Sequence, residues 1–475
     1  SQLPSLYLAK LLNPKFSLAL IYHHNPPPIY ILSISNYRQM RNWRFCATII
    51  YMRIYFSGIG GVGIGPLAEI ALDAGYDVYG SDREASPMTK SLQKRGVQIS
   101  FDQSGDFLRS EHGKSPFDWF VYTAALPGDH PELVLAKQLG IKTGKRDELL
   151  AHIITDKKLK LIAVAGTHGK TTTTSMLVWA FRQLNIPASY SVGSTLSFGP
   201  SGRFDPASQF FIYECDEFDK NFLHFQPWLS IITSIDYDHP DTYPERADYL
   251  AAFRQFICQS QRCIMYQQDL NGLDIAKSSG VPLETIDKTA ALDDINSLIL
   301  PGRHNRENAY LVLTELKNRG VGLAEAKAAI ESFPGSGRRF EKLADNLYSD
   351  YGHHPTEIKA TLQMARELSD HVVLVYQPHQ NIRQHEIKEN YTAEVFNQAE
   401  KIYWLPTYLT REDSDLPILS PQELAKNLPN PEQISYADLD DELWHNIEDA
   451  QANGKLVLCM GAGTIDEWLR QHLKI

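Results

Sequence analysis

Residues 161–174 constrain this chain more than any other stretch. The apolar run Leu161-Ile-Ala-Val-Ala165 leads straight into Gly166-Thr-His-Gly-Lys-Thr-Thr-Thr-Thr174 and then into Ser-Met-Leu-Val-Trp-Ala. That order predicts a buried strand, a glycine-bearing turn and the first turn of a helix. Glycines let the backbone bend so that successive N–H groups face one anion at the positive end of a helix. Lys170 adds a mobile charge for terminal phosphates, and the Thr171 hydroxyl is placed for Mg²⁺. Val164 stands where the longer phosphate-loop pattern has its first glycine, so the match is to the shorter G-x-x-G-K-T form. An ordinary strand–turn–helix of a parallel sheet has the same outline. Glycine, lysine and threonine together point instead to a nucleoside triphosphate site made by Gly166, Thr167, His168, Gly169, Lys170, Thr171 and Thr172.

With 475 residues and 43% hydrophobic content, the chain can bury large cores and should divide into about three domains. Its net charge of −11 argues against nucleic acid, which demands a basic surface. The five cysteines are scattered and form no C-x-x-C pair, so neither a disulfide framework nor a zinc site is indicated, and a reducing cytoplasm fits best. No apolar run is long enough to span a bilayer. Residues 1–51 are foreign to the rest: they contain no Asp or Glu, and Pro26-Pro-Pro28 interrupts them. A signal peptide, a targeting segment and a membrane-surface arm are all conceivable for such a leader. The plainest reading is an upstream extension, poorly ordered or a non-native start, with Met52 as the working start.

From Met52 the pattern changes. A strand, Arg53-Ile-Tyr-Phe-Ser57, is followed by Gly58-Ile59-Gly60-Gly61-Val62-Gly63, a helix from Pro66 to Ala74, and a second strand ending at Asp82. This is the βαβ dinucleotide fingerprint, with Asp82 near the position that meets a ribose hydroxyl. Alone it suits NAD, and glycine-rich turns also occur where helix and strand simply pack closely. A UDP-type diphosphate satisfies the same geometry, and the phosphate loop a hundred residues later disfavours a dehydrogenase. Phe120-Val-Tyr-Thr-Ala-Ala125 reads as a later strand facing that ligand. The polar stretch 144–160, with a short amphipathic helix around Asp147–His152, marks the first boundary.

Two acidic clusters follow the phosphate loop: Glu214-Cys-Asp216-Glu217-Phe218-Asp219 and Asp236-Tyr-Asp238-His239-Pro-Asp241, each after an apolar strand. Ligands in open parallel sheets collect at the carboxyl ends of strands, so both clusters should converge on the phosphate loop and supply Mg²⁺ ligands. A single such acid is more often a solvated loop carboxylate. Asn308, near the start of a helix, can read adenine, although asparagine there is commonly a cap. The second boundary lies near Phe333-Pro-Gly-Ser-Gly337. Beyond it, strand–loop–helix units repeat, which predicts another α/β domain. His353 and His354 are adjacent and lack a cysteine partner, so zinc is not indicated. Arg339 and Arg383 are better read as anion clamps.

From Met52 to its end the chain resembles the Mur ligases, the ATP-dependent amide-forming enzymes of peptidoglycan precursor synthesis. The likeness rests on Gly58–Gly63, Ala165–Thr174, Glu214–Asp219, Asp238–Tyr243, Gly302–Ala309, Gly337–Phe340 and Asp350-Tyr-Gly-His-His-Pro-Thr-Glu357, in family order. Asp350–Glu357 and Gln377-Pro-His-x-x-x-Arg383 place it nearest the alanine-adding members. The resemblance implies three α/β domains: a Rossmann-like, UDP-substrate-binding domain over 52–157, a central ATP-binding parallel sheet over 158–331, and a Rossmann-like, amino-acid-binding domain over 332–475. Lys170 and Arg339 would hold the β- and γ-phosphates, and Lys170, His239 and Arg339 would form the catalytic group. Thr171, Glu214 and His239 would ligate Mg²⁺, Asn308 would contact adenine, and Asp350 the ATP ribose. Tyr351, His353 and Arg383 would receive the amino acid, and the glycine loop the UDP. The implied reaction joins the carboxylate of UDP-N-acetylmuramate to L-alanine through an acyl phosphate, by a cytoplasmic monomer or homodimer. A ligase attaching a murein tripeptide in cell-wall recycling, or a catalytically idle nucleotide-binding paralogue, are the alternatives. Phe218 departs from the serine usual in alanine-adding members, and Gln380, Asn381 and Ile382 replace an arginine- or threonine-bearing stretch. The lysine that some relatives carbamylate has no counterpart near Phe253-Arg254, as in the alanine-adding members.

Overall fold

The computed structural model describes residues 52–475 apart from 124–125, 240–241, 271, 274, 276–279 and 411. The extension 1–51, the end of the strand expected at 120–125, and Asp241 of the second acidic cluster lie outside the described residues. Two compact units divide at Gly144/Lys145.

The first unit is built on a five-stranded sheet centred on Arg53–Ser57, which runs parallel to Asp77–Ser81 on one side and Trp119–Tyr122 on the other. All five residues of the central strand are buried, as expected where both faces of a parallel sheet are covered. Helix Gly65–Asp73 carries Pro66 in its first turn, where a missing N–H costs nothing.

The second unit holds two sheets. Lys160–Ala165 is the middle strand of a seven-stranded sheet, flanked by Leu229–Ile232 and Phe210–Glu214. Registers pair Val164 with Glu214 and Ala165 with Ile232, so both acidic clusters leave the sheet at the same edge as the phosphate loop, as the strand-end rule requires. Helix Lys170–Gln183 buries Met176, Leu177 and Phe181 against Ile162, Val164 and Leu311. Each such side chain contributes roughly 1.5–3 kcal/mol by leaving water. The last sheet has six strands; Leu347–Asp350, Leu456–Met460, Val372–Tyr376 and Lys401–Trp404 run parallel, with Glu341–Ala344 antiparallel at one edge. Fully buried Trp404, Tyr376 and Tyr391 fill its core. Three parallel-sheet α/β layers thus match the expected fold class. Among the described residues no helix is long and apolar enough to cross a membrane.

Candidate active site

The phosphate loop owes its shape to two glycines. Gly166 (φ 135°) lies so close to the next strand end that a Cβ there would stand 2.8 Å from Ser234 O, and Gly169 (φ 84°) would meet Asn308 Oδ1 at 2.6 Å. Neither place admits a side chain. The loop is then stitched down: Thr167 N donates to Ser234 O (3.0 Å), His168 N to Ser234 Oγ (3.0 Å), and Thr167 Oγ1 to Asp236 O (2.6 Å).

Lys170 folds back over this loop. Its Nζ donates to Gly166 O (2.7 Å), Thr167 O (3.3 Å) and both oxygens of Glu217 (2.9 and 2.8 Å). Glu217 is 0% exposed, and burial pushes its carboxyl up to about 7 even beside the ammonium. Burial opposes the charge on Lys170, but the carboxylates of Glu217, Asp216 and Glu214 together outweigh it and hold the amine above its ordinary value. Thr171 Oγ1 donates to Glu214 Oε1 (2.7 Å), whose other oxygen accepts from Gly193 N (2.7 Å), and Arg339 Nη2 reaches Thr171 Oγ1 at 3.5 Å. His239 sits at φ 59°, with Nε2 at 3.7 Å from both Glu217 and Asp238. Of the three expected metal ligands, the structure joins Thr171 to Glu214 and groups His239 with Asp216 and Glu217, whose ligand atoms lie within 4.8 Å of one another.

Two cavities open on either side of the loop. One, of about 480 Å³, is lined by Thr171, Thr172, His304, Asn308, Phe340 and Asp350 among others. Asn308 is buried in the second turn of helix Arg303–Asn318 and meets the phosphate loop at Gly169, so it is not a helix cap. Asp350 accepts from Phe340 N (2.8 Å) and Gly352 N (2.7 Å) and braces the turn that carries Arg339; burial raises its carboxyl to about 6. Burial also lowers His304, whose role the sequence did not suggest, to about 4.

The other cavity, of about 520 Å³, is lined by Lys170, Asp238, His239, Tyr351, His353 and Arg383 among others. Arg383 Nη1 donates to His353 Nε2 (2.6 Å) and Nη2 to Asp238 Oδ1 (3.3 Å). Because Nε2 accepts, the proton of His353 must sit on Nδ1, which faces Tyr351 O at 3.2 Å. Burial, assisted by the Arg383 charge, keeps that ring neutral, lowered to about 4.

His168, Arg339 and Glu357 line both cavities and form the wall between them. Glu357 received no role from the sequence, although it closes the Asp350–Glu357 motif; its Oε2 accepts from His353 N (3.0 Å) and His354 N (3.2 Å). His168 lies between Asp236 and Glu357, 3.6 Å from each, and its ring packs 5.4 Å from His354. Burial disfavours its charge, but the two carboxylates prevail and raise it to about 9. A histidine raised on folding contributes stability that is complete below its unfolded value near 6.5 and is lost as pH climbs through about 9. Thermal melts between pH 6.5 and 9.5 should therefore show a fall in Tm of roughly a few degrees that His168→Gln abolishes. An equal fall in both proteins would refute the assignment.

In the first unit the glycine loop is closed by its own chain. Gly58 N and Ile59 N donate to Ser81 O, Gly61 N to Gly58 O, and Gly60 N to Asp82 Oδ2 (2.6 Å). Asp82 also accepts from Arg83 N, so it shapes the loop, while Ile59 is buried and Val62 is 99% exposed beside Gly63. Beneath the loop lies fully buried Glu132, which accepts from Tyr55, Ser57 and Ser81 hydroxyls at 2.6–2.7 Å. No local pattern announced it.

Known proteins carry the same elements. Models of the Mur ligase family match this chain in three parts: the catalytic domain over 53–158, the middle domain over 164–296 and the glutamate ligase domain over 338–463. A UDP-N-acetylmuramate–L-alanine ligase of Clostridium novyi is 30% identical over 449 residues, covering 87% of this chain and 95% of that protein. One from Frankia casuarinae is 29% identical over 481 residues, with the same two coverages. The crystal structure of UDP-N-acetylmuramate-alanine ligase from Thermotoga maritima superposes with a TM-score of 0.67 at 24% identity, over 89% of this chain and 99% of that one, which shows a shared fold. The phosphate loop, the acidic strand ends and the arginines facing them are therefore those of a chain that belongs to the Mur ligase family.

Proposed function

We propose that the chain is an ATP-dependent ligase that joins the carboxylate of UDP-N-acetylmuramate to the amino group of L-alanine, working in the cytoplasm. The observation that carries this reading is the pair of cavities sharing one wall of His168, Arg339 and Glu357. A nucleotide on one side and an amino acid on the other would both meet the phosphate loop at that wall. In the reaction the muramate carboxylate attacks the γ-phosphorus and ADP leaves, giving an acyl phosphate. The amine then attacks the acyl carbon, loses a proton, and phosphate departs. Little covalent chemistry falls to the protein, so positioning and charge stabilisation dominate.

Lys170 and Arg339 supply positive charge for the phosphoryl oxygens, Asp350 and Asn308 line the nucleotide cavity, and Arg383 suits the acceptor's carboxylate. The donor set of Thr171 hydroxyl and Glu214 carboxylate, 2.7 Å apart, is hard oxygen and fits Mg²⁺, with His239 on the opposite side of the loop. That ion supplies neutralisation of charge building on the phosphates. The glycine loop at 58–63 would take the diphosphate of the UDP-sugar.

ATP-dependent phosphate release with UDP-N-acetylmuramate should be highest with L-alanine when compared with L-serine, glycine and the L-Ala-γ-D-Glu-meso-diaminopimelate tripeptide. A preference for the tripeptide would move the chain to cell-wall recycling. Tight ATP binding with no release from any acceptor would leave an idle nucleotide-binding paralogue.

A further inference from the structure

Arg383, the residue suited to the acceptor's carboxylate, touches His353, and a chain of buried hydroxyl and amide groups leads from the main chain of His353 to the residue that follows Arg383. Tyr376, Tyr391 and Gln384 are each 0% exposed, and the proposed reaction gives them no task. We propose that Tyr391, acting through Tyr376 and Gln384, is a positioning residue that fixes the Arg383 clamp against His353. This rests on the proposed ligase reading and deepens it, since it names what sets the grip on the acceptor.

The contacts form a closed circuit. Arg383 Nη1 donates to His353 Nε2 (2.6 Å). From His353 the circuit continues through the main chain, where the Tyr376 hydroxyl donates to His353 O (2.9 Å). The Tyr376 and Tyr391 hydroxyls stand 2.8 Å apart, and the Tyr391 hydroxyl donates to Gln384 Oε1 (2.6 Å). Gln384 follows Arg383 directly in helix Asn381–Ile387, which closes the circuit, and its Nε2 donates to His379 O (2.9 Å). Trp404 meets both phenol rings edge-on, at 5.2 and 5.3 Å between centroids, so the two hydroxyls have fixed places. The start of the helix is held separately, by Glu412 Oε2 accepting from Asn381 N (2.9 Å). The circuit holds the turn that carries the guanidinium.

Counting protons shows why Tyr391 is the control point. A tyrosine hydroxyl has one proton to give. Because Gln384 directs its NH₂ at His379 O, its Oε1 can only accept, and the proton of Tyr391 is committed there. Tyr376 then has one proton for two acceptors, His353 O and the Tyr391 oxygen. A buried network this short of donors is sensitive to the loss of a single oxygen. Tyr391→Phe cuts Gln384 out of the circuit and Tyr376→Phe cuts out His353, so either frees Arg383 from its register with His353. Charges around His353 make that separation measurable: the guanidinium opposes protonation of the imidazole, while Glu357 Oε2, 3.9 Å from Nδ1, and Asp238 favour it.

The test measures KM for L-alanine, kcat, ADP affinity, Tm and the His353 NMR titration in the full chain and in Tyr391→Phe, Tyr376→Phe and the double variant. Phenylalanine keeps the packing of each ring. Each single variant should raise KM for L-alanine about tenfold, within the roughly 10²-fold that slight misplacement of a binding group costs, with kcat and ADP affinity unchanged. The His353 titration should move up in both as the guanidinium drifts from the imidazole. The double variant should be no worse than the poorer single one, because members of one network do not add. A fall in Tm with KM and the His353 titration unmoved would reduce the phenols to packing and overturn the inference, while the ligase reading stands. Equal losses for ATP and L-alanine would overturn it too. If wild type releases no phosphate with any amino acid, the ligase reading falls alone, and the His353 titration still decides whether the circuit sets the clamp.

Discussion

Lys170→Met should cut ATP-dependent phosphate release by about 10³-fold, the loss expected when one preorganised cationic donor to a transferring phosphoryl group is removed. Methionine keeps the length and the apolar stem, so the effect reads charge and not packing. The same substitution has a second consequence. Lys170 is the cation against fully buried Glu217, and breaking such a pair from one side costs about 3–5 kcal/mol. The sign with pH is fixed. A carboxyl raised above its unfolded value of about 4.5 loses stability as pH rises from there to its folded value, about 7 in the wild type. Without the ammonium that folded value climbs further, so the loss continues to higher pH. The Tm gap between variant and wild type should widen above pH 7 and narrow towards pH 5. Lys170→Met with Glu217→Gln should recover Tm without recovering activity. A single variant within threefold of the wild-type rate would remove Lys170 from the chemistry.

What was legible in the sequence was what is local. The phosphate loop announces itself because glycines, lysine and threonine must be contiguous to wrap one anion. The acidic clusters were legible one step further, through the rule that ligands gather at strand ends, and the sheet order placing Phe210–Glu214 and Leu229–Ile232 on either side of Lys160–Ala165 bears that out. Pairings across elements were not. Nothing near Glu217 in the sequence marks it as the partner of Lys170, whereas Glu214 is taken up by Thr171 Oγ1 and Gly193 N. Glu357 gains its importance only when the last sheet brings it against His168. Asn308 shows how a helix start can be legible while a side chain's role is not: the helix opens at Arg303, within the expected stretch, and Asn308 falls one turn in, where it faces Gly169 and does not cap. Glu132 is a single acid in an apolar helix, and only the three hydroxyls that converge on it explain its burial.

Arg383→Ala should raise KM for the acceptor amino acid so that kcat/KM drops about 10²-fold, equivalent to about 2.7 kcal/mol, with ADP affinity unchanged because Arg383 lines only the second cavity. Two guanidinium nitrogens are in use at once, one on His353 Nε2 and one near Asp238. Arg383→Lys keeps the charge but cannot fork, so it should recover only part of the loss. A readout independent of turnover comes from His353. Burial holds its imidazole down at about 4, and the neighbouring Arg383 charge adds to that depression. Removing the guanidinium leaves the ring buried but removes the repulsion, so the His353 titration followed by NMR should move up in Arg383→Ala and stay low in Arg383→Lys. If acceptor KM rises while His353 does not move, Arg383 acts on the substrate alone and the neutral Nδ1–H tautomer has another cause. If neither changes, the amino acid binds elsewhere, and the 520 Å³ cavity loses its claim to be the acceptor site.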